Sequence, residues 1–301
     1  MEQPPEKNKR VERLNEMPEK WRLLRAEILE NFEGKTDGLN IERVKDFMKE
    51  RNIPIEDFIV FYDEDIPEIN KILGGVYDIG EMVEHEASGV YVSELRTVFV
   101  RRNHNREDVF EEGTIVHELS HALNGYPQYL SRKKTLTNPR SGFLLKINKN
   151  FGWGDFLEEG FAELLTGEYL SQYVPEEIEA RRETILMKSG IHINDNDIAV
   201  LPANGSKSEV FTKYIRIDKN NDLGVSKSAI AATSLEMLFK KEPKLRQTLI
   251  EARGNIEKLR EIPKLINNIQ PGLYVKIQKC EPTDSDFMRV QNIIKEAIQN
   301  S

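Results

Sequence analysis

The sequence predicts an α+β fold: a small mixed helix–sheet lobe, then a mostly helical C-terminal lobe, with a cleft between them. Three observations carry that expectation. Short runs rich in β-branched and aromatic residues fall early, in Phe58-Ile-Val-Phe-Tyr62 and across 89–102, and read as strands. Two segments with helical apolar spacing follow, around 105–125 and 155–169. From Ser226 to the end the same helical spacing dominates. A chain of 301 residues buries about three quarters of its unfolded surface, enough for a sizeable core. One domain with two lobes, or two small domains, both fit that length.

In chain order, residues 1–17 are polar and Pro-containing and are expected to be a flexible N-terminus. Residues 18–102 form the helix–sheet lobe. Trp21, Leu24 and Ile28 mark a helix over 18–32, and Val44, Phe47 and Met48 mark one over 41–51. A buried strand at 58–62, a helix at 67–73 and a hairpin or two short strands at 89–102 complete the lobe. Residues 103–175 hold two helices. Asn105 is suited to cap the first, with Glu107 and Asp108 in its first turn, where carboxylates complement the helix dipole. Val109, Gly113, Val116 and Leu123 form its buried stripe, and Gly125 is a stop signal. Asp155 is read as the N-cap of the second, with Glu158 three residues on as in a capping box. In 176–301, residues 191–224 are rich in Asn, Asp, Gly and Ser and read as loops with at most a short strand pair. Helices are expected at 226–241, 243–252, 255–268 and 284–299.

Composition excludes several function classes. The net charge is −8 with 31% charged residues, which argues against nucleic acid as a partner. Arg101-Arg102, Arg132-Lys-Lys134 and Lys240-Lys241 are short, scattered and read as solvated faces. No run approaches 18 apolar residues, so no membrane span is expected. The N-terminal ten residues lack the apolar core of a signal peptide, and the single Cys280 excludes an intrachain disulfide. A cytoplasmic protein is the expectation, with leaderless delivery elsewhere giving the same pattern.

The most informative segment is His117-Glu-Leu-Ser-His121. On a helix, side chains four apart share a face, roughly 5–6 Å apart at Cβ, so both imidazoles reach one Zn²⁺. The interposed Glu118 then sits beside the open metal position, where a carboxylate takes a proton from water. Thr114, His117, Glu118 and His121 fall largely off the buried stripe. The other histidines, His85, His104 and His192, have no partner His at ligand spacing. A catalytic zinc needs three protein ligands and an open position. Residues 122–158 separate His121 from the next candidates, Glu159 and Glu163, four apart on one helical face, with Glu158 as a rival. Asp218-Lys-Asn-Asn-Asp222 has calcium-loop spacing, but Leu223 occupies the sharp-turn glycine position, so it reads as a surface turn.

An HExxH followed some tens of residues later by a helical Glu-x-x-x-Glu resembles the gluzincin zinc metallopeptidases, over roughly residues 89–170. Glu159-Gly-Phe-Ala-Glu163 is similar to the third-ligand helix of the M1-type aminopeptidases and of the anthrax lethal factor group. The resemblance implies a zincin-like fold with an active-site cleft. It also implies Zn²⁺ on His117, His121 and Glu159, Glu118 as general base, and Glu163 as an outer acceptor for a ligand His N–H. In such peptidases a Tyr or His from elsewhere steadies the oxyanion. Here the stretch before Glu159 offers Phe151 and Trp153 but no Tyr, and Val225 precedes the helix where an aminopeptidase carries its Tyr. Tyr126, Tyr214 and His192 are the candidates for that role.

The expected function is therefore zinc-dependent hydrolysis of a peptide or protein substrate. Two alternatives share the motif: a narrow-specificity regulatory or toxin-like cytosolic protease, and a zinc-stabilised binding protein without turnover. Substrate sequence, exo- or endo-mode and oligomeric state are not written in these residues.

Overall fold

The computed structural model describes residues 19–32, 38–53, 58–74, 88–92, 95–102, 108–122, 129–130, 136–137, 140–141, 144–146, 152–176, 178–179, 192–193, 199–202, 209–212, 216–217, 223–224, 226–253 and 255–301. By its internal contacts the chain divides into two compact units, Met1–Ser141 and Gly142–Ser301.

In the first unit, α1 (Glu19–Asn31) and α2 (Ile41–Glu50) precede strand β1 (Ile59–Tyr62), helix α3 (Ile66–Leu73), strands β2 (Gly89–Val92) and β3 (Thr97–Val100), and helix α4 (Asp108–Ala122). The strands form one mixed sheet in the order β1-β3-β2. β3 runs parallel to β1, with Phe61 opposite Phe99, and antiparallel to β2, with Val90 opposite Phe99. The central strand is buried along its whole length, as expected of a strand covered on both faces. A core of Ile28, Phe32, Phe61, Ile66, Ile69, Leu73, Val92, Leu95 and Phe99 unites α1, α3 and the sheet, with Phe61 packed edge-on to Phe32. α4 packs against β2, β3 and α2, burying Val109, Phe110, Ile115, Val116 and Leu119. Strands β4 (Tyr129–Leu130) and β5 (Leu136–Thr137) pair antiparallel, and β6 (Arg140–Ser141) closes the unit.

In the second unit, β7 (Leu144–Lys146) and β8 (Gly152–Trp153) pair antiparallel and lead into α5 (Asp155–Tyr173). A small antiparallel sheet follows, of β9 (His192–Ile193), β10 (Ala199–Pro202) and β11 (Glu209–Thr212), then the pair β12 (Arg216–Ile217) and β13 (Leu223–Gly224). The helices α6 (Lys227–Lys241), α7 (Lys244–Glu251), α8 (Ile256–Leu259), α9 (Ile262–Ile269), α10 (Leu273–Gln278) and α11 (Asp284–Gln299) complete it. α5 is buried along most of its length and packs chiefly against α6, which also packs against α11.

The α+β class holds: helices predominate, and the first unit carries a small three-stranded mixed sheet. Three local expectations are corrected. Asp155 is the first helical residue of α5, and Gly154, at φ 97°, takes the cap position. The stretch 191–224 carries several short strands where loops with one pair were expected. The helix expected at 255–268 is two helices, because Pro263 opens α9 and cannot donate a backbone N–H to a preceding turn. Helix α10, six residues long, was too short to leave a periodic signal. The expectations for 1–17, for the caps at Asn105 and Gly125, and for Leu123 concern positions outside the described residues. No helix among the described residues is long and apolar enough to cross a membrane.

Candidate metal centre

α4 sorts its side chains as the apolar spacing requires. Val109, Gly113 and Val116 are buried, while Thr114, His117, Glu118 and His121 are each partly exposed. His117 and His121 stand one turn apart, their ring centroids separated by 5.1 Å at an interplanar angle of 75°. The Ser120 hydroxyl donates to the His117 carbonyl at 2.6 Å, inside the same turn.

Two features hold this helix in place, and the spacing argument singled out neither. Glu112, fully buried, accepts from the Asn40 backbone N–H at 2.8 Å and from Arg43 Nε at 2.8 Å, with a second guanidinium nitrogen at 2.6 Å. This charge-assisted fork pins α4 to α2 just before the ligand turn. The signal was present: Glu112 lies three residues after Val109 and four before Val116, a carboxylate on an otherwise apolar face. The second feature is Gly89 on edge strand β2. A Cβ there would lie 2.8 Å from Thr114 Cγ2, 3.0 Å from the Phe99 carbonyl oxygen and 3.1 Å from Glu118 Cγ. The missing side chain lets α4 settle onto the sheet with Glu118 directly over the strand.

α5 carries three carboxylates in six residues, and packing separates them. Glu158 is 2% exposed and ion-paired with Arg253 at 3.4 Å. Arg253 also lies over the Phe161 ring, 4.5 Å from its centroid. Glu158 is thus a core residue of the second unit, and its expected capping role is corrected: the chain enters α5 through Gly154, whose N–H donates to the Gln278 carbonyl at 3.0 Å. Glu159 is partly exposed and accepts a hydrogen bond from Ser228 Oγ at 2.9 Å. Glu163, one turn on, is buried.

Among the described residues, one set of His, Cys, Asp and Glu side chains is close enough to share an ion. It comprises His117, His121 and Glu159, whose ligand atoms all lie within 4.8 Å of one another. The donors of one tetrahedral zinc stand about 3.3–3.6 Å apart, given metal–ligand distances of roughly 2.0–2.2 Å. Two imidazoles and one carboxylate are also a donor set that zinc accepts with an open position, so the residues fit the ion.

The remaining candidates do not enter this set. Tyr126, Tyr214, Phe151, Val225, His85, His104 and the Asp218–Asp222 stretch lie outside the described residues. The backbone of His192 belongs to β9, opposite Val200. Cys280 is buried, and burial pushes its thiol well above the usual range, which removes it as a nucleophile. Compared with family models, with curated proteins and with solved structures, the chain matches none of them.

Proposed function

We propose that this protein is a zinc-dependent peptidase of gluzincin type, with a zincin-like arrangement of its ligand helices, acting on a peptide or protein substrate. The observation that supports it is that His117, His121 and Glu159 form a set that could hold one metal ion, with Glu118 beside the first of them. Zinc, when bound, supplies Lewis acidity, polarising a carbonyl oxygen and lowering the pKa of water.

The chain's own residues supply the rest. His117 and His121 each offer one ring nitrogen, and Glu159 offers a carboxylate oxygen that offsets part of the ion's charge. Glu118 follows the first ligand on the same helix and is partly exposed. It takes the proton of the attacking water and delivers it to the departing amine nitrogen, as general base and then general acid. The Glu112–Arg43 fork and the Gly89 contact fix the helix that carries His117, Glu118 and His121. Preorganisation of this kind governs how well a base meets its proton. Glu163, one turn from Glu159, is assigned as the acceptor that orients a ligand imidazole. The oxyanion donor is assigned to one of Tyr126, Tyr214 and His192.

Metal analysis of the purified protein, coupled to digestion of a peptide library, tests this reading. The expected result is about one zinc per chain, lost in His117→Ala and in His121→Ala. Glu118→Gln is expected to keep its metal and to lose at least about 100-fold in hydrolysis. Unchanged metal in both histidine variants would overturn the site; undiminished hydrolysis by Glu118→Gln would remove the base.

A further inference from the structure

We infer that Ser228, on a helix outside both motifs, is a positioning residue for the metal-ligating carboxylate of Glu159; the inference rests on the metal centre proposed above. Its hydroxyl donates to Glu159 Oε2 at 2.9 Å, and Ser228 is buried. Three features of the second unit make this contact a built one.

The first is the position of Ser228 in its helix. Thr233 and Ser234, further along α6, donate to the carbonyls of Ala229 and Ile230, four residues back, at 3.0 and 2.8 Å. Mid-helix hydroxyls are commonly consumed in this way. Ser228 is the second residue of α6, after the Ser226 cap. The carbonyl four residues back belongs to Gly224, before the helix begins, so the helix itself offers this hydroxyl no competing acceptor.

The second feature is the closeness of the two helices. A Cβ on Gly160 would lie 2.9 Å from Ala231 Cβ and 2.9 Å from its carbonyl carbon. Only a residue without a side chain lets α5 and α6 touch at this point, and small residues on both sides bring the short serine side chain within reach of its neighbour's carboxylate. The third is register. Lys227 lies 3.9 Å from Asp155, Ser228 bonds Glu159, and Ala231 faces Gly160. Successive contacts therefore follow one another along both helices, and the serine is held where it stands.

A hydroxyl on one carboxylate oxygen fixes the carboxylate plane before the ion arrives. Glu159 has several rotatable bonds, and ordering them on metal binding costs affinity. Outer partners of metal ligands typically contribute about 10–100-fold in affinity. The proposal gives this role to Ser228 and makes Gly160 the reason it reaches.

The test titrates Co²⁺ into the apo forms of the full chain: wild type, Ser228→Ala and Ser228→Thr, which keeps the hydroxyl. Dissociation constants and the cobalt d–d absorption are read together, with the thermal midpoint of each apoprotein measured separately. The expected result is a wild-type-like apo midpoint for Ser228→Ala, a 10–100-fold weaker dissociation constant, an altered d–d band, and recovery of both metal readouts in Ser228→Thr. Stoichiometric wild-type binding with an unchanged constant and band in Ser228→Ala would overturn the positioning role and leave the metal centre standing. Loss of cooperative melting in apo Ser228→Ala would also overturn it, by making the hydroxyl part of the fold. Failure of the wild type itself to bind Co²⁺ would instead overturn the metal centre on which the role depends.

Discussion

Glu158 and Glu159 are neighbours in sequence with opposite fates, and their substitutions should separate cleanly. Glu158 is buried against Arg253. Its removal takes a carboxylate from a guanidinium in the core, and breaking a buried pair in this way costs about 3–5 kcal/mol. Glu158→Ala should therefore lower the denaturation midpoint of the apoprotein markedly. Glu159 is partly exposed and accepts a hydrogen bond from Ser228. Glu159→Ala should leave stability nearly unchanged and weaken zinc binding far more than Glu158→Ala does in molecules that remain folded. Glu163→Ala should fall between them for zinc, in the range of about 10–100-fold. Zinc titration calorimetry and denaturant unfolding of the three variants decide the assignment. A Glu158→Ala protein of normal stability but poor zinc affinity would reverse the roles of the two residues.

At the scale of elements, the decisive contact is between β2 and α4. Gly89 leaves no room for a Cβ, because Thr114 Cγ2 would stand at 2.8 Å and Glu118 Cγ at 3.1 Å. Gly89→Ala must push the helix outward or turn Glu118 aside, and overpacking of this kind costs about 1–3 kcal/mol. The expected phenotype is a metal content close to wild type with hydrolysis reduced by at least about 10-fold, since small displacements of a reacting group are costly. Thr114→Ser removes the nearest clashing atom, so the double variant Gly89→Ala with Thr114→Ser should recover part of the stability. A double-mutant cycle on unfolding free energies measures that coupling. Strict additivity would show that the two residues do not press on each other.

For the whole molecule, the proposed metal centre would tie function to stability. A ligand that binds the folded chain and not the unfolded one stabilises by RT ln(1 + [L]/Kd), about 2.7 kcal/mol at a hundredfold excess over Kd. Zinc added to the apoprotein should therefore raise its thermal midpoint, and chelator should lower that of the purified protein. His121→Ala should show neither shift. A zinc-dependent shift of full size in His121→Ala would place the stabilising ion elsewhere in the chain.

The amino-acid sequence by itself determined what depends on local spacing. The α+β class, the strands at 59–62, 89–92 and 97–100, the helices at 227–241, 244–251 and 284–299 and the pairing of His117 with His121 all follow from hydrophobic period and from helical geometry. Such features involve residues a few positions apart, where the covalent chain fixes the geometry. Only the tertiary structure decided the rest. Glu158 read as a cap because three-residue spacing is the signature of one, yet packing against Arg253, distant in sequence, drew it into the core. Ser228 gave no signal at all, because its meaning depends on two helices meeting at Gly160 and Ala231. The mixed sheet order, with β3 between β1 and β2, is likewise a matter of long-range pairing. Spacing along the chain sets which side chains share a face; which face meets which is set by burial and close packing among distant segments, and no local pattern encodes it.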